Sequence, residues 1–64
     1  MILENVKELC AKKDISISAL EKKAGIGNGT ISGWNEYNPK LDTLMKVADA
    51  LDVSVTRLLR KKDA

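Results

Sequence analysis

The side chains of this chain that could do chemistry are small and uncharged: Asn28, Thr30 and Ser32, set among Gly29 and Gly33. An amide and two hydroxyls exchange hydrogen bonds with a partner's polar groups, but they do not move protons near neutral pH or attack a substrate unaided. The residues that would help them are missing. The sequence has no histidine, a single cysteine (Cys10), no cluster of metal ligands and no phosphate loop followed by lysine. Its carboxylates are scattered among basic neighbours. General-base, nucleophilic and metal-assisted chemistry are thereby disfavoured. No enzyme, metal or other cofactor is expected, which leaves recognition by hydrogen bonding.

These residues must be held by the stretch 15–34, which reads as two short amphipathic helices joined by a turn containing glycine. The first buries Leu20 and Ala24. The second, entered after Gly25-Ile26-Gly27, buries Ile31 and Trp34 and turns Asn28, Gly29, Ser32 and Gly33 outward. A glycine-centred turn lets two helices meet at a steep angle, the sequence mark of a helix-turn-helix. Such a unit presents a small-residue helix face that fits a DNA major groove.

Length and composition set the frame. Sixty-four residues make one expected domain, 1–64, and a chain of this size buries only about 60% of its unfolded surface. With one cysteine and no histidine, neither a disulfide framework nor an ordinary zinc site can staple it. The fold must stand on its apolar residues, 44% of the chain. No apolar run approaches the ~20 residues that cross a bilayer, and no signal-peptide pattern opens the chain, so a reduced, cytoplasmic protein is expected. Eleven Lys and Arg against nine Asp and Glu give +2, too little to indicate a nucleic-acid partner alone. The run Arg60-Lys61-Lys62 reads as a solvated tail.

Five helices and no strand are expected. The first spans about residues 2–13, with Leu3, Val6, Leu9 and Cys10 at helical spacing, and Asp14 interrupts it. Ser16 or Ser18 caps the second. The capping-box pattern favours Ser18 with Glu21, while the apolar register favours Ser16, which puts Ile17 and Leu20 on one face. Gly25 ends that helix as a left-handed residue. The third spans about 28–35, and Pro39 forces an extended entry to the next element. The fourth, about 41–51, places Leu41, Leu44, Met45, Ala48 and Leu51 on one apolar stripe facing the core. Ser54 caps a fifth, with Val55, Leu58 and Leu59 apolar. Trp34 and Cys10 are assigned to the core.

The chain resembles the phage-repressor and Cro-like helix-turn-helix family, also called XRE-like, from about Leu3 to Leu59. The resemblance is carried by Leu20 and Gly25 with four residues between them, then Ile26, Thr30-Ile31-Ser32, Trp34 and Pro39. It continues through the helix at 41–51 and Val53-Ser54 ahead of Leu58-Leu59. It implies an all-α, five-helix bundle of the lambda-repressor-like type. The helix-turn-helix would be its second and third helices, and the third would lie in the major groove of a double-stranded DNA operator. The expected role is transcriptional regulation in a bacterium or phage, most simply repression.

On that footing Asn28, Gly29, Thr30, Ser32 and Gly33 are the expected base-contacting residues. The Asn28 amide can pair bidentately with adenine N6 and N7; its plainer role is to stabilise the helix start. Each glycine inside a helix costs roughly 1 kcal/mol relative to alanine. Gly29 and Gly33 therefore either allow close approach of backbone to DNA, or belong to an irregular entry and a tolerated defect. No Lys, Arg or Gln lies between Ile26 and Glu36, so arginine-to-guanine readout is not available there. A large share of discrimination is then expected from DNA shape.

Ser16, Ile17 and Ser18 at the start of the second helix, and Tyr37, Asn38 and Lys40 before the fourth, are the expected phosphate contacts. Helix N-terminal amides bind phosphate whatever the side chain. Ile17 stands where the family often has glutamine, and Glu36 would repel DNA unless it points away. Lys40 is the principal cation, with Lys13 and Lys23 as further candidates. Relatives pair as two-fold dimers across half-sites ~34–36 Å apart; Leu59 and Arg60 are the expected contact of a weak homodimer, formed chiefly on DNA. The alternative is a protein-interaction module, such as an antitoxin or anti-repressor.

Overall fold

Apolar stripes make the helices, and a left-handed residue stops each of the three longer ones. A computed structural model describes residues 2–60; Lys61 and Lys62 of the basic tail lie outside them. The elements are α1 (Ile2–Lys12), α2 (Ile17–Ala24), a 3₁₀ turn (Ser32–Asn35), α3 (Leu41–Ala50) and α4 (Val55–Leu59), with no strand among the described residues.

The stops share one geometry. After α1, Asp14 takes φ 55° and Ile15 N–H donates to the Cys10 carbonyl at 3.0 Å. After α2, Gly25 takes φ 74° and Ile26 N–H donates to the Glu21 carbonyl at 3.0 Å. After α3, Asp52 takes φ 59° and Val53 N–H donates to the Ala48 carbonyl at 3.0 Å. Each is a Schellman motif, which satisfies carbonyls the helix end leaves open. Each is followed by a β-branched residue, Ile15, Ile26 or Val53, that packs half-buried on the core. Thus every stop also anchors the chain that leaves it.

The core is Val6, Leu9 and Cys10 from α1, Leu20 from α2, Ile31 and Trp34 from the middle segment, Leu44, Val47, Ala48 and Leu51 from the α3 region, and Leu58 from α4. Burial pushes the Cys10 thiol above its ordinary pKa, as suits a small buried hydrophobe. The α3 stripe is corrected at two positions. Leu41 is 65% exposed and Met45 54% exposed, while Val47 is fully buried. The buried arc is centred on Leu44, Val47, Ala48 and Leu51. Met45 lies about 100° round from Leu44, and Leu41 opens the helix at the rim of the core.

A second correction concerns helix number. There are four α-helices among the described residues, not five, because the segment at 28–35 is a run of turns ending in the 3₁₀ turn. Gly29 sits at φ 88°, which no α-helix accommodates. Around and beyond it most backbone bonds step by three, from Thr30 to Gly27, Gly33 to Thr30, Trp34 to Ile31 and Glu36 to Gly33, the 3₁₀ pattern, while Gly33 to Gly29 and Tyr37 to Gly33 step by four.

Asn5 closes the bundle. Its buried side-chain amide donates to the carbonyls of Leu58 at 2.7 Å and Arg60 at 2.6 Å, fastening the end of α4 to α1. Ser54 has the extended backbone of a cap, but its hydroxyl makes no capping bond. No described helix is long and apolar enough to cross a membrane. Nor do three or more His, Cys, Asp or Glu among the described residues come together to hold a metal ion.

Candidate nucleic-acid interface

The candidate site is built on α2 and the glycine-bearing segment 25–35. Ser16 settles the start of α2: its Oγ accepts from Ala19 N–H at 3.0 Å with φ −79° and ψ 158°, the geometry of an N-cap. Ser18 is exposed one position inside the helix and Ile17 is half-buried. The amides of Ile17 and Ser18 precede the first backbone bond of the helix, Leu20 N–H to the Ser16 carbonyl at 3.0 Å. This is the end of a helix that favours negative charge.

Glu21 does not serve a capping box. It is 3% exposed, and its two carboxylate oxygens accept from Gly29 N–H at 3.1 Å and Ile31 N–H at 2.9 Å. Bonds from backbone amides to a carboxylate are among the stronger ones. Here they hold the segment 25–35 on either side of Thr30. Sequence reasoning missed this role. Its signal was the inward face of α2, Ile17-Leu20-Glu21-Ala24 at i, i+3, i+4 and i+7, on which Glu21 is the one charged member.

Held this way, Asn28, Gly29 and Ser32 are exposed, and Thr30 and Gly33 are half-buried. The two glycines have separate local reasons. Gly29 is required by its positive φ, and open space surrounds the place where a Cβ would stand. This is the irregular entry. At Gly33 the conformation is ordinary, but a Cβ would lie 2.6 Å from Tyr37 Oη and 2.7 Å from a ring carbon. The missing side chain makes room for the Tyr37 ring, whose hydroxyl reaches the Thr30 carbonyl at 3.5 Å, the outer limit of a hydrogen bond.

The surface around the segment is grooved on three sides. One groove, about 270 Å³, is lined by Ser18, Glu21, Lys22, Ile26 and Asn28 and joins the start of α2 to the turn. A second, about 310 Å³, brings Thr30, Tyr37, Asn38 and Lys40 together over Trp34, Pro39 and Thr43. A third, about 450 Å³, lies against α1 and includes Glu4, Lys7 and Glu36. Glu36 therefore lines the α1 side and not the groove that holds Lys40. Leu59 is 53% exposed and Arg60 is exposed, on α4 and just beyond it; neither lines these grooves.

The arrangement can donate and accept hydrogen bonds along an exposed ridge, with a helix N-terminus and a lysine-bearing groove nearby. Residues 5–63 match the family model of the Cro/C1-type HTH DNA-binding domain. The HTH-type transcriptional regulator SinR of Bacillus licheniformis is 38% identical over 66 residues, covering 98% of this chain and 60% of that protein. The regulator of the same name from Bacillus subtilis (strain 168) is 37% identical over 65 residues, covering 97% and 59%. The chain thus spans about three fifths of the length of these curated relatives. No solved structure matches significantly. With its helical fold, its α2-turn unit and a family match across nearly its whole length, the chain belongs to the Cro/C1-type helix-turn-helix DNA-binding domains.

Proposed function

We propose that this chain is a unit, 1–64, that recognises a double-stranded DNA operator for a cytoplasmic transcriptional regulator of bacterial or phage type, acting as a repressor. The observation that carries the reading is the ridge of exposed Asn28, Gly29 and Ser32 with half-buried Thr30, pinned by Glu21 beside the N-terminus of α2 and the Lys40 groove. In this reading Asn28, Thr30 and Ser32 meet base edges, and Gly29 lets the turn approach them. Gly33 supports the ridge through Tyr37. The amides of Ile17 and Ser18 take one phosphate rail, and Asn38, Tyr37 and Lys40 take the other. Leu59 and Arg60 supply the contact of a weak homodimer that forms on the operator.

Selection of binding sites from random duplex DNA tests the proposal. The expected result is a short recurring half-site, bound with affinity that falls steeply with salt as phosphate contacts release counterions. Two features favour a second reading, an interaction module such as an antitoxin or anti-repressor. The ridge lacks Lys, Arg and Gln, and Leu41 and Met45 leave an apolar pair exposed. Failure to enrich any duplex, with no salt-sensitive binding, would decide for that second reading.

A further inference from the structure

We propose that Glu21 is a positioning residue for sequence discrimination, setting the reading segment from inside the protein without touching DNA. The inference rests on the DNA-binding reading and adds to it the residue that makes the ridge specific.

In a regular recognition helix, backbone bonds between successive turns fix the direction of each side chain. Here that lattice is incomplete, with a single four-residue bond, Gly33 N–H to the Gly29 carbonyl at 3.3 Å, across the residues that need it. Gly29 at φ 88° breaks it, and the first steps of the segment are single turns. Isolated turns with exposed glycines have little stability of their own. The Gly29 and Ile31 amides instead converge on the two oxygens of one buried carboxylate. Thr30 lies between these anchors, Asn28 immediately before them and Ser32 immediately after. The three expected base-reading side chains are therefore spaced about a clamp supplied by α2. A carboxylate at a DNA interface would otherwise repel phosphate. At 3% exposure with both oxygens engaged, Glu21 is directed to the backbone of the segment.

Glu21→Gln separates positioning from mere folding. It keeps the shape and one acceptor oxygen, but sets an NH₂ donor against an amide N–H, breaking one half of the clamp. The probe is the duplex selected from random sequence by the wild-type chain, compared with an unrelated duplex of equal length. Affinity for the selected duplex is expected to fall on the order of tenfold. Affinity for the unrelated duplex and the salt slope, which report phosphate contacts, should stay within about twofold. Equal losses on both duplexes, or no loss on either, would overturn the positioning role. Glu21→Ala removes both halves and is expected to give a larger loss of preference in the same direction.

Amide exchange on the wild-type chain tests the clamp without a variant. Gly29 and Ile31 should be protected, and exchange at unfolded-chain rates at both would overturn the clamp itself. If the wild type selects no duplex, the DNA reading falls and the discrimination role falls with it, whereas protection of these amides would still show the clamp. The two failures are thus told apart.

Discussion

At the scale of single residues, glycine is used here for two unrelated ends. Gly29 answers to its own backbone, while Gly33 answers to a neighbour's ring. The sequence alone left close approach to DNA and local irregularity equally open, because glycine at both positions looks identical until φ and the surrounding atoms are known. The Gly33 contact makes a measurable coupling. Alanine at a compatible glycine position usually stabilises by about 0.4–1 kcal/mol through the unfolded state. Gly33→Ala should deliver this gain in a Tyr37→Ala background. In the wild-type background the Cβ must displace the ring, and the gain should shrink or vanish. A double-mutant cycle by urea unfolding reads the difference; equal effects in both backgrounds would show that Tyr37 does not occupy this space. Glu21 escaped the sequence reading for another reason. Carboxylates on short helices are usually solvated, and its partners lie eight and ten residues away, beyond any local motif.

Secondary-structure elements were legible where apolar spacing and stop residues agree. α1 and α2 follow the expected spans to within a residue or two, and Ser16 and Gly25 bound α2 as its apolar register requires. Two features did not follow. Periodicity carries no information about the sign of φ, so the glycine-bearing segment at 28–35 read as a helix. In α3, Met45 and Val47 are equally apolar on opposite edges of one arc, and only tertiary packing chooses Val47 for the core. The stops yield a second test. Asp52 holds φ 59°, a conformation that L-residues adopt at a cost and glycine adopts freely. Asp52→Gly, offset partly by its greater unfolded-state entropy, should raise unfolding free energy by about 0.5–1 kcal/mol. Thermal melts would show this as a higher Tm; a lower one would mean that the Asp52 side chain contributes more than its backbone costs.

For the molecule as a whole, the decisive closure is between its first and last described helices. Asn5 spans more than fifty positions of sequence to bind the Leu58 and Arg60 carbonyls, so its loss leaves one buried and one partly buried backbone acceptor without their partner. Asn5→Ala should lower unfolding free energy by about 1–3 kcal/mol, a large fraction of the margin available to a domain this small. Chemical unfolding measures it, with a loss below about 0.5 kcal/mol counting against the closure. Binding to a single half-site should persist in whatever remains folded, because neither Asn5 nor α4 lines the grooves beside the segment 28–35, whereas the proposed pairing through Leu59 and Arg60 should weaken with the loss of the Asn5–Arg60 bond. Trp34 stands at a different crossing. The chain's one tryptophan is 7% exposed, borders the grooves on both sides of the Tyr37-Asn38 loop, and keeps its indole N–H without a partner among the described residues. The protein thereby carries a native fluorophore beside the proposed phosphate-contacting loop, and its emission colour can follow that loop without an attached dye.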